Sequence, residues 1–348
     1  MRTLKYILLF IISIPALSGC DDWLNVYPEN AQVSDEYWQS KKDVEAVVIS
    51  GYYFLREMTI NTLLPWGELR SGAIFDIKGN DLQKFQVKPI NKAVCNWGPL
   101  YQVINIANVL IQNAPDVMNV DDTYAEEEMK SHLSEAYFLR ALSYFYIVRN
   151  WREAPLITTA YEDDTNNYQI AKATEAEIIA QIKSDIKTAL TTGASKEFFN
   201  TTWETKGRAT RWAFYALMTD VCLWSEDYNT AIEYSNYLLE TTSPRKPAFM
   251  QTASHASWFS MFNPGNSNES VFELQWNYEE NQTNLLPVYF DNASVDKKYE
   301  LSYQLLRDFN TEYSETVSTE KEAVRTMYGG YYVDDPVAFE IATRGYVW

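Results

Sequence analysis

Two stretches of the chain, residues 59–94 and 255–292, combine aromatic rings with side chains that end in planar polar groups. Flat apolar rings suit stacking against the axial hydrogens of pyranose sugars, and amide, carboxylate and guanidinium groups hydrogen-bond pairs of sugar hydroxyls. We expect three stacking platforms and four polar partners: Trp66, Trp258 and Tyr289, with Arg70, Asp81, Asn263 and Gln282. For each of these residues, packing within its own loop is the competing interpretation.

The sequence offers little that points to catalysis. The chain has two histidines, His132 and His255, and neither lies in a triad-like or zinc-like motif. No glycine-rich phosphate loop or nucleophile elbow occurs, and the 47 acidic residues do not single out a glycosidase-like pair of carboxylates. We therefore predict a protein that is not an enzyme, with no catalytic residue, no cofactor and no metal ligands.

The composition limits the kinds of partner. The formal net charge of -18 at pH 7 repels phosphate backbones, and the chain has no basic run interleaved with aromatic residues. Nucleic acid is therefore excluded as an expected partner. Hydrophobic residues make up 46% of the 348 positions, which is enough for a large buried core.

Residues 1–19 have the features of a bacterial secretion signal, in which basic residues precede an apolar run and then small residues. Residues 17–20 (LSGC) match a lipobox, in which the cysteine thiol is acylated and becomes the mature N-terminus. We expect lipidation of Cys20 and anchoring to the membrane through its acyl chains, each buried methylene of which contributes about 0.8 kcal/mol. Ordinary secretion with a coincidental cysteine is the alternative.

Apolar residues at helical spacing predict a helical scaffold. Helices are expected at about 40–57, 98–114, 131–151 and within 174–240, and loop-rich regions at 59–94 and 244–348. The most apolar segment, residues 132–158, must be buried on most sides, so we expect it to be a central helix that Pro155 ends. Its few polar residues, among them Glu135 and Arg140, should meet partners inside the protein.

Smaller features complete the predicted organisation. Residues 227–234 (DYNTAIEY) are typical of the turn and second-helix start of a tetratricopeptide repeat. Residues 270–276 have a strand-like pattern, and residues 301–309 have that of a short amphipathic helix. Four tryptophans are expected in the core: Trp97, Trp151, Trp212 and Trp276.

Six stretches between Cys20 and about Trp276 resemble, in their order, the SusD/RagB family of surface lipoproteins. They are YWQSKKDVEAVVISGYYFL, WGPLYQVINIANVLI, EAYFLRALSYFYIVRNWREAPLIT, KATEAEIIAQIKSDIKTAL, GRATRWAFYALMTDVCLW and NESVFELQW. The resemblance implies a mostly α fold, in which tetratricopeptide-like helical pairs support an irregular, loop-rich ligand-binding region within a single domain over residues 20–348. Members of the family usually continue past this length, so we expect a C-terminally truncated or short member. No binding residue transfers by motif, because the family's binding loops diverge with the ligand.

The resemblance also implies a partner, a SusC-like TonB-dependent transporter whose mouth the lipoprotein covers as a lid. Asp21 and Asp22 follow Cys20 and are similar to the acidic signal that sends such lipoproteins to the outer surface. We expect a glycan-binding lipoprotein of the outer membrane that faces outside. Two alternatives stay open: a peptide-capturing member of the same family, and a structural lid without a ligand of its own.

Overall fold

Helices form most of the fold, and they pack against one another because each has an apolar stripe that must be buried. The computed structural model describes residues 37–79, 81–91, 95–162, 166–192, 195–249, 265–291 and 294–302. The chain divides into two compact units, residues 1–39 and 40–348, and every element named below lies in the second. Its helices are α1 Lys41–Met58, α2 Gly98–Val117, α3 Glu126–Trp151, α4 Glu175–Thr191, α5 Thr202–Gly207, α6 Arg211–Trp224, α7 Tyr228–Leu239 and α8 Leu286–Phe290.

Helix α3 is the central helix, as its sequence predicts. It packs against α2 and α4, α1 packs against α2, and 15 of the 26 residues of α3 are buried. Helices α6 and α7 pack as a consecutive pair, and the side chain of Asp227 caps α7 by accepting a hydrogen bond from the backbone N–H of Thr230 at 3.4 Å. The mostly α architecture with tetratricopeptide-like pairing is therefore confirmed.

The polar residues of α3 meet buried partners, also as predicted. Arg140 donates two hydrogen bonds to the carboxylate of Asp185, at 2.7 and 2.8 Å, and Arg208 donates two of the same lengths to Glu135. Removal of one partner from a buried pair leaves an uncompensated charge, which typically costs about 3–5 kcal/mol. The two pairs therefore fix how α3 packs against α4 and against the segment before α6.

A further carboxylate extends this buried network. Glu45 of α1 lies 2.7 Å from Nε2 of His132 and 2.6 Å from the guanidinium of Arg208. The hydrogen bond with His132 and the nearby charge of Arg208 outweigh partial burial and lower the pKa of Glu45 to about 2. Helix α1 is thus tied to α3 by a charged contact as well as by apolar packing.

Residues 59–71 are helical, so the predicted loop over 59–94 was wrong in its first part. Two π-helical turns, Thr59–Leu63 and Pro65–Leu69, continue the direction of α1. The i→i+5 bonding of a π-helix moves the buried positions away from the 3.6-residue spacing by which a helix is predicted. Trp66 and Leu69 are buried in this segment.

The bounds of α3 also differ from the prediction. The helix begins at Glu126, where three consecutive glutamates in the first turn favour the helix N-terminus. It ends at Trp151 because Arg152 takes a left-handed backbone conformation, with φ of +63°. Pro155 does not end the helix and instead lies in the short strand β2.

Two predicted boundaries near Pro115 and Leu301 were wrong. Helix α2 continues through Pro115 to Val117, because a proline in the last turn removes a single backbone donor while Ala114 and Val117 stay buried. Leu301 lies in a strand and not at the start of a helix, and residues 303–309 lie outside the described residues.

Residues 270–276 do not form a strand in the described part of the chain. The backbone N–H of Glu273 donates to the carbonyl of Lys206 at 2.7 Å, so this segment bonds to the end of α5 and not to a sheet. The segment is coil, yet its apolar residues still pack inside the protein: the ring of Phe272 lies against the rings of Tyr52 and Phe138.

Two small antiparallel strand pairs complete the fold. β1 Ile74–Asp76 pairs with β4 Tyr299–Leu301, and β2 Ala154–Pro155 pairs with β3 Lys172–Ala173. The first pair joins α8 and the π-helical segment in a minor apolar core of Leu69, Ile74, Phe290, Tyr299 and Leu301. Among the described residues, no helix combines the length and apolar character needed to cross a bilayer.

Candidate functional site

A cleft of about 330 Å³ lies where the π-helical segment, the loop after β1 and the end of α3 meet. Its walls consist of Trp66, Arg70, Leu82, Phe85, Val87, Cys95, Asn150 and Trp151. We call it the Trp66 cleft. The structure thus brings two expected binding residues together, Trp66 and Arg70, and surrounds them with residues that were not among the expected binders.

Trp66 forms the inner wall of the cleft and not an open platform. It is 7% exposed, and its ring packs edge-to-face against Trp151 with 5.0 Å between ring centroids. Trp151 packs in the same way against Trp97 at 5.7 Å. Each such contact adds about 0.5–1.5 kcal/mol beyond area burial, so this row of indoles makes a firm wall. The prediction that Trp97 and Trp151 lie in the core was wrong, since both are half-buried beside the cleft.

Phe85 supplies the open ring of the cleft. It is 81% exposed, and its backbone has φ of +54°, in the left-handed region that disfavours residues with a Cβ atom. The loop holds this conformation through its own backbone, since the N–H of Phe85 donates to the carbonyl of Leu82 at 3.0 Å. Strained residues of this kind cluster at binding sites, where the surrounding structure over-determines them.

Arg70 brings hydrogen-bond donors to the wall. Its Nη1 donates to Oδ1 of Asn150 at 3.1 Å, and Nδ2 of Asn150 donates to the carbonyl of Tyr146 one turn earlier at 2.8 Å. The bond to Asn150 uses one of the five guanidinium N–H groups, and Arg70 makes no other hydrogen bond within the described part of the chain. Asn150 therefore orients a guanidinium that keeps donors for a ligand.

The other expected binding residues lie elsewhere. Asp81 is exposed and accepts a hydrogen bond from Asn91 within its own loop, outside the walls of the Trp66 cleft. Tyr289 is half-buried and packs against Tyr299 beside the minor core. Gln282 lines a different cleft, next to α1 and α5. Cys20, Trp258 and Asn263 lie outside the described residues.

The Trp66 cleft has a single charged side chain among the described residues, that of Arg70. Among the described residues its walls hold one guanidinium, one amide and one thiol, and no carboxylate. Behind the wall, burial raises the pKa of Tyr101 above its usual range, so its phenol stays protonated and donates to the carbonyl of Pro155 at 2.6 Å. No group of His, Cys, Asp and Glu residues in the described part of the chain is arranged to hold a metal ion.

The SusD-like family model, described as starch-binding and associating with the outer membrane, matches residues 22–223, which is more than half of the chain. The chain belongs to the SusD-like family. A SusD-like protein of Formosa agariphila is 22% identical to it, over 94% of this chain and 63% of its own length. The resemblance inferred from the six sequence stretches is therefore confirmed.

Solved structures of SusD-like proteins have the same fold. A SusD superfamily protein from Bacteroides thetaiotaomicron superposes with a TM-score of 0.64 at 22% identity, over 79% of this chain and 63% of that one. A protein described as a laminarin-binding SusD-like protein gives a TM-score of 0.65 at 20% identity, over 79% of this chain and 64% of that one. The present chain thus spans less than two thirds of the length of these SusD-like proteins.

Six residues of the wall were not among the expected binders, and three of them matter most for the site: Phe85, Asn150 and Trp151. A signal for Phe85 exists in the sequence, because it is an aromatic residue between Lys84 and Gln86 in a polar loop. Asn150 and Trp151 gave no such signal, since their exposure depends on where α3 ends. In this SusD-like chain, α3 ends at Trp151 because the next residue, Arg152, has a left-handed backbone conformation.

Proposed function

We propose that this SusD-like protein is a non-catalytic glycan-binding lipoprotein that captures neutral oligosaccharides or polysaccharides in the Trp66 cleft. One observation carries the proposal: the exposed ring of Phe85, a residue with a strained backbone, lies in the same cleft as the guanidinium of Arg70, which Asn150 holds in place. A flat apolar face beside fixed donors is what a pyranose ring and its hydroxyls require.

Each residue has a distinct role in this proposal. Phe85 stacks on a sugar ring, Arg70 donates to hydroxyl oxygens, and Asn150 acts as a positioning residue for the guanidinium. Trp66 and Trp151 close the cleft from behind and exclude water, which strengthens the polar contacts. The net charge of -18 disfavours polyanionic glycans, because the single guanidinium of the wall does not offset it.

Two comparisons support a glycan as the ligand class. The family description names starch binding, and a structural neighbour is described as laminarin-binding. These descriptions suggest α-linked and β-linked glucans as the first probes. Maltoheptaose and laminarihexaose represent the two linkages and carry no charge.

Isothermal titration with these two oligosaccharides and an uncharged peptide of similar length tests the proposal. We expect an oligosaccharide to bind and Arg70→Ala to weaken the binding by at least tenfold, because a hydrogen bond to a charged group contributes about 1.5–3 kcal/mol. Arg149→Ala is the matched control, since Arg149 is an exposed arginine of α3 outside the cleft. Binding of the peptide alone would favour the peptide-capturing alternative, and silence from every probe would favour the structural lid.

The proposed setting is the outer membrane, where acyl chains on Cys20 would anchor the protein on the outside and a SusC-like TonB-dependent transporter would receive the glycan. The lipobox, the acidic residues after it and the family's association with the outer membrane support this part. Cys20→Ala should abolish incorporation of labelled palmitate and release the protein from the membrane fraction. Retention of the label would refute lipidation at Cys20, and co-purification with the transporter checks the partner.

A further inference from the structure

A second cleft opens on another part of the protein, between α1, α5 and residues 265–284. It consists of two adjoining hollows of about 850 and 270 Å³ that share Trp203, Glu273, Leu274, Gln275 and Gln282 in their walls. We call it the Trp203 cleft. It has no wall residue in common with the Trp66 cleft.

Four aromatic residues line the Trp203 cleft, and one of them, Tyr52, is buried. Trp203 is 42% exposed, Tyr53 is 47% exposed, and Trp276 is half-buried. Trp276 therefore lies at a cleft and not in the core, where its sequence context had placed it. The rings of Trp203 and Tyr53 are exposed and accessible to a ligand, whereas the ring of Trp66 is buried.

A buried guanidinium lies between two of these rings. The side chain of Arg56 is 10% exposed, and its guanidinium carbon is 5.2 Å from the centroid of Tyr53 and 5.8 Å from that of Trp276. Its Nη1 donates to the carbonyl of Gln275 at 3.0 Å and to Oε1 of Gln282. Its Nε finds no hydrogen-bond acceptor in the described part of the chain. Arg56 thus holds the backbone of Gln275 and the side chain of Gln282 in place from beneath the cleft wall.

The amide groups of the cleft are held in fixed orientations. Nε2 of Gln275 donates to Oδ1 of Asn266, and the backbone N–H of Asn277 donates to Oε1 of Gln282 at 2.9 Å. Gly207 makes this possible, because a Cβ atom at that position would clash with Oε1 of Gln275. Hydrogen bonds within the protein therefore orient the amide groups of the cleft, without help from a ligand.

The carboxylates of the cleft have partners within the protein. The backbone N–H of Asn266 donates one bifurcated hydrogen bond to both carboxylate oxygens of Glu273, at 3.0 and 3.1 Å, and Glu204 accepts one from the backbone N–H of Thr201 at 3.1 Å. Glu45 is bound by Arg208 and by a histidine of α3. The remaining character of the walls is aromatic and amide-like, which favours a neutral ligand rich in hydroxyl groups over a cation.

We propose that the Trp203 cleft is a second saccharide-binding site, which holds a neutral pyranoside against the exposed rings of Trp203 and Tyr53, beside amide groups that the protein holds in place. The saccharide class rests on the proposed function, whereas the location rests on the cleft itself. Two separate sites would hold a long polysaccharide at two points, so that the second contact forms at high effective concentration.

Titration of the full chain with the oligosaccharide of the panel that binds tests this proposal, with the number of sites as the readout. Wild type should bind two molecules per chain, and Trp203→Ala should bind one. Trp224→Ala is the matched control, because Trp224 is a tryptophan of similar exposure, 37%, outside the cleft, and it should keep both sites. Arg56→Lys keeps the charge but removes the guanidinium that holds Gln275 and Gln282, and should weaken one site about tenfold while thermal unfolding shows an unchanged fold.

The outcomes separate the two proposals. If Trp203→Ala and Arg56→Lys titrate like Trp224→Ala while Phe85→Ala loses binding, the second site is refuted and the Trp66 cleft stands. If Trp203→Ala loses binding and Phe85→Ala does not, the Trp203 cleft stands and the Trp66 cleft is refuted. Absence of binding of either oligosaccharide to wild type overturns both.

Discussion

Replacement of Phe85 by glycine should weaken glycan binding without destabilising the protein. The residue combines an 81% exposed ring with a backbone φ of +54°. A residue kept only for packing would bury its ring and take a relaxed backbone. The combination is expected where a loop presents the ring to a ligand.

The magnitudes follow from these two observations. Left-handed backbone costs a residue with a Cβ atom about 1–2 kcal/mol, and glycine avoids that cost but loses about 0.5–1 kcal/mol through the greater freedom of the unfolded chain. The exposed ring contributes little packing, so the free energy of unfolding of Phe85→Gly should stay level or rise by up to about 1.5 kcal/mol. A sugar stacked on one ring face removes roughly 50 Å² of apolar surface from water, worth about 1.3 kcal/mol or about tenfold in Kd.

Urea unfolding and isothermal titration measure the two quantities on the same sample. Phe85→Ala is the companion variant, since it removes the ring and keeps the strain, and should lose the same affinity without the gain in stability. Phe249→Gly is the control for loss of an exposed phenylalanine, because Phe249 is 79% exposed and lies outside the Trp66 cleft. Unchanged affinity together with a clear loss of stability in Phe85→Gly would refute the binding role.

Three further predictions concern the scaffold and the cleft wall. Gly51→Ala should lower the free energy of unfolding by about 1–3 kcal/mol, because the new Cβ would lie 2.5 Å from Leu139, and a rise in stability by urea unfolding would contradict this. Stability should fall as pH drops from about 4.5 toward 2, because in this window Glu45 takes up a proton in the unfolded chain but stays ionised in the folded protein, where its pKa is lowered to about 2. Glu45→Gln should flatten that part of a pH series of urea unfolding curves. Cys95 lies in the cleft wall and should react with iodoacetamide more slowly when oligosaccharide is bound. Burial raises the pKa of Cys222, which should stay unreactive with or without sugar, and peptide mass spectrometry distinguishes the two cysteines. Equal reaction rates of Cys95 with and without sugar would contradict occupancy of the cleft.

The helical scaffold could be predicted from the sequence because its stripes follow the 3.6-residue period. Helix α3 is the clearest example, since its apolar residues cover most of its circumference and its polar exceptions, Glu135 and Arg140, meet buried partners. The spacing of Thr174 and Glu177 likewise marks the start of α4, where the two residues form a capping box.

The Trp66 cleft could be predicted only in part, because its walls combine segments that are distant in the sequence. Arg70 and Asn150 are 80 residues apart, and their hydrogen bond depends on the π-helical turns before Arg70 and on the end of α3. Neither feature follows the ordinary helical period. The left-handed backbone of Phe85 is likewise set by its loop and not by its residue type.

A crystal structure of the protein with the oligosaccharide that binds most tightly would test the central claim most directly. We expect a sugar ring stacked on Phe85, with carbon atoms within about 4 Å of the phenyl ring, and a hydroxyl oxygen within hydrogen-bonding distance of the Arg70 guanidinium. A bound glycan that leaves the Trp66 cleft empty would contradict it.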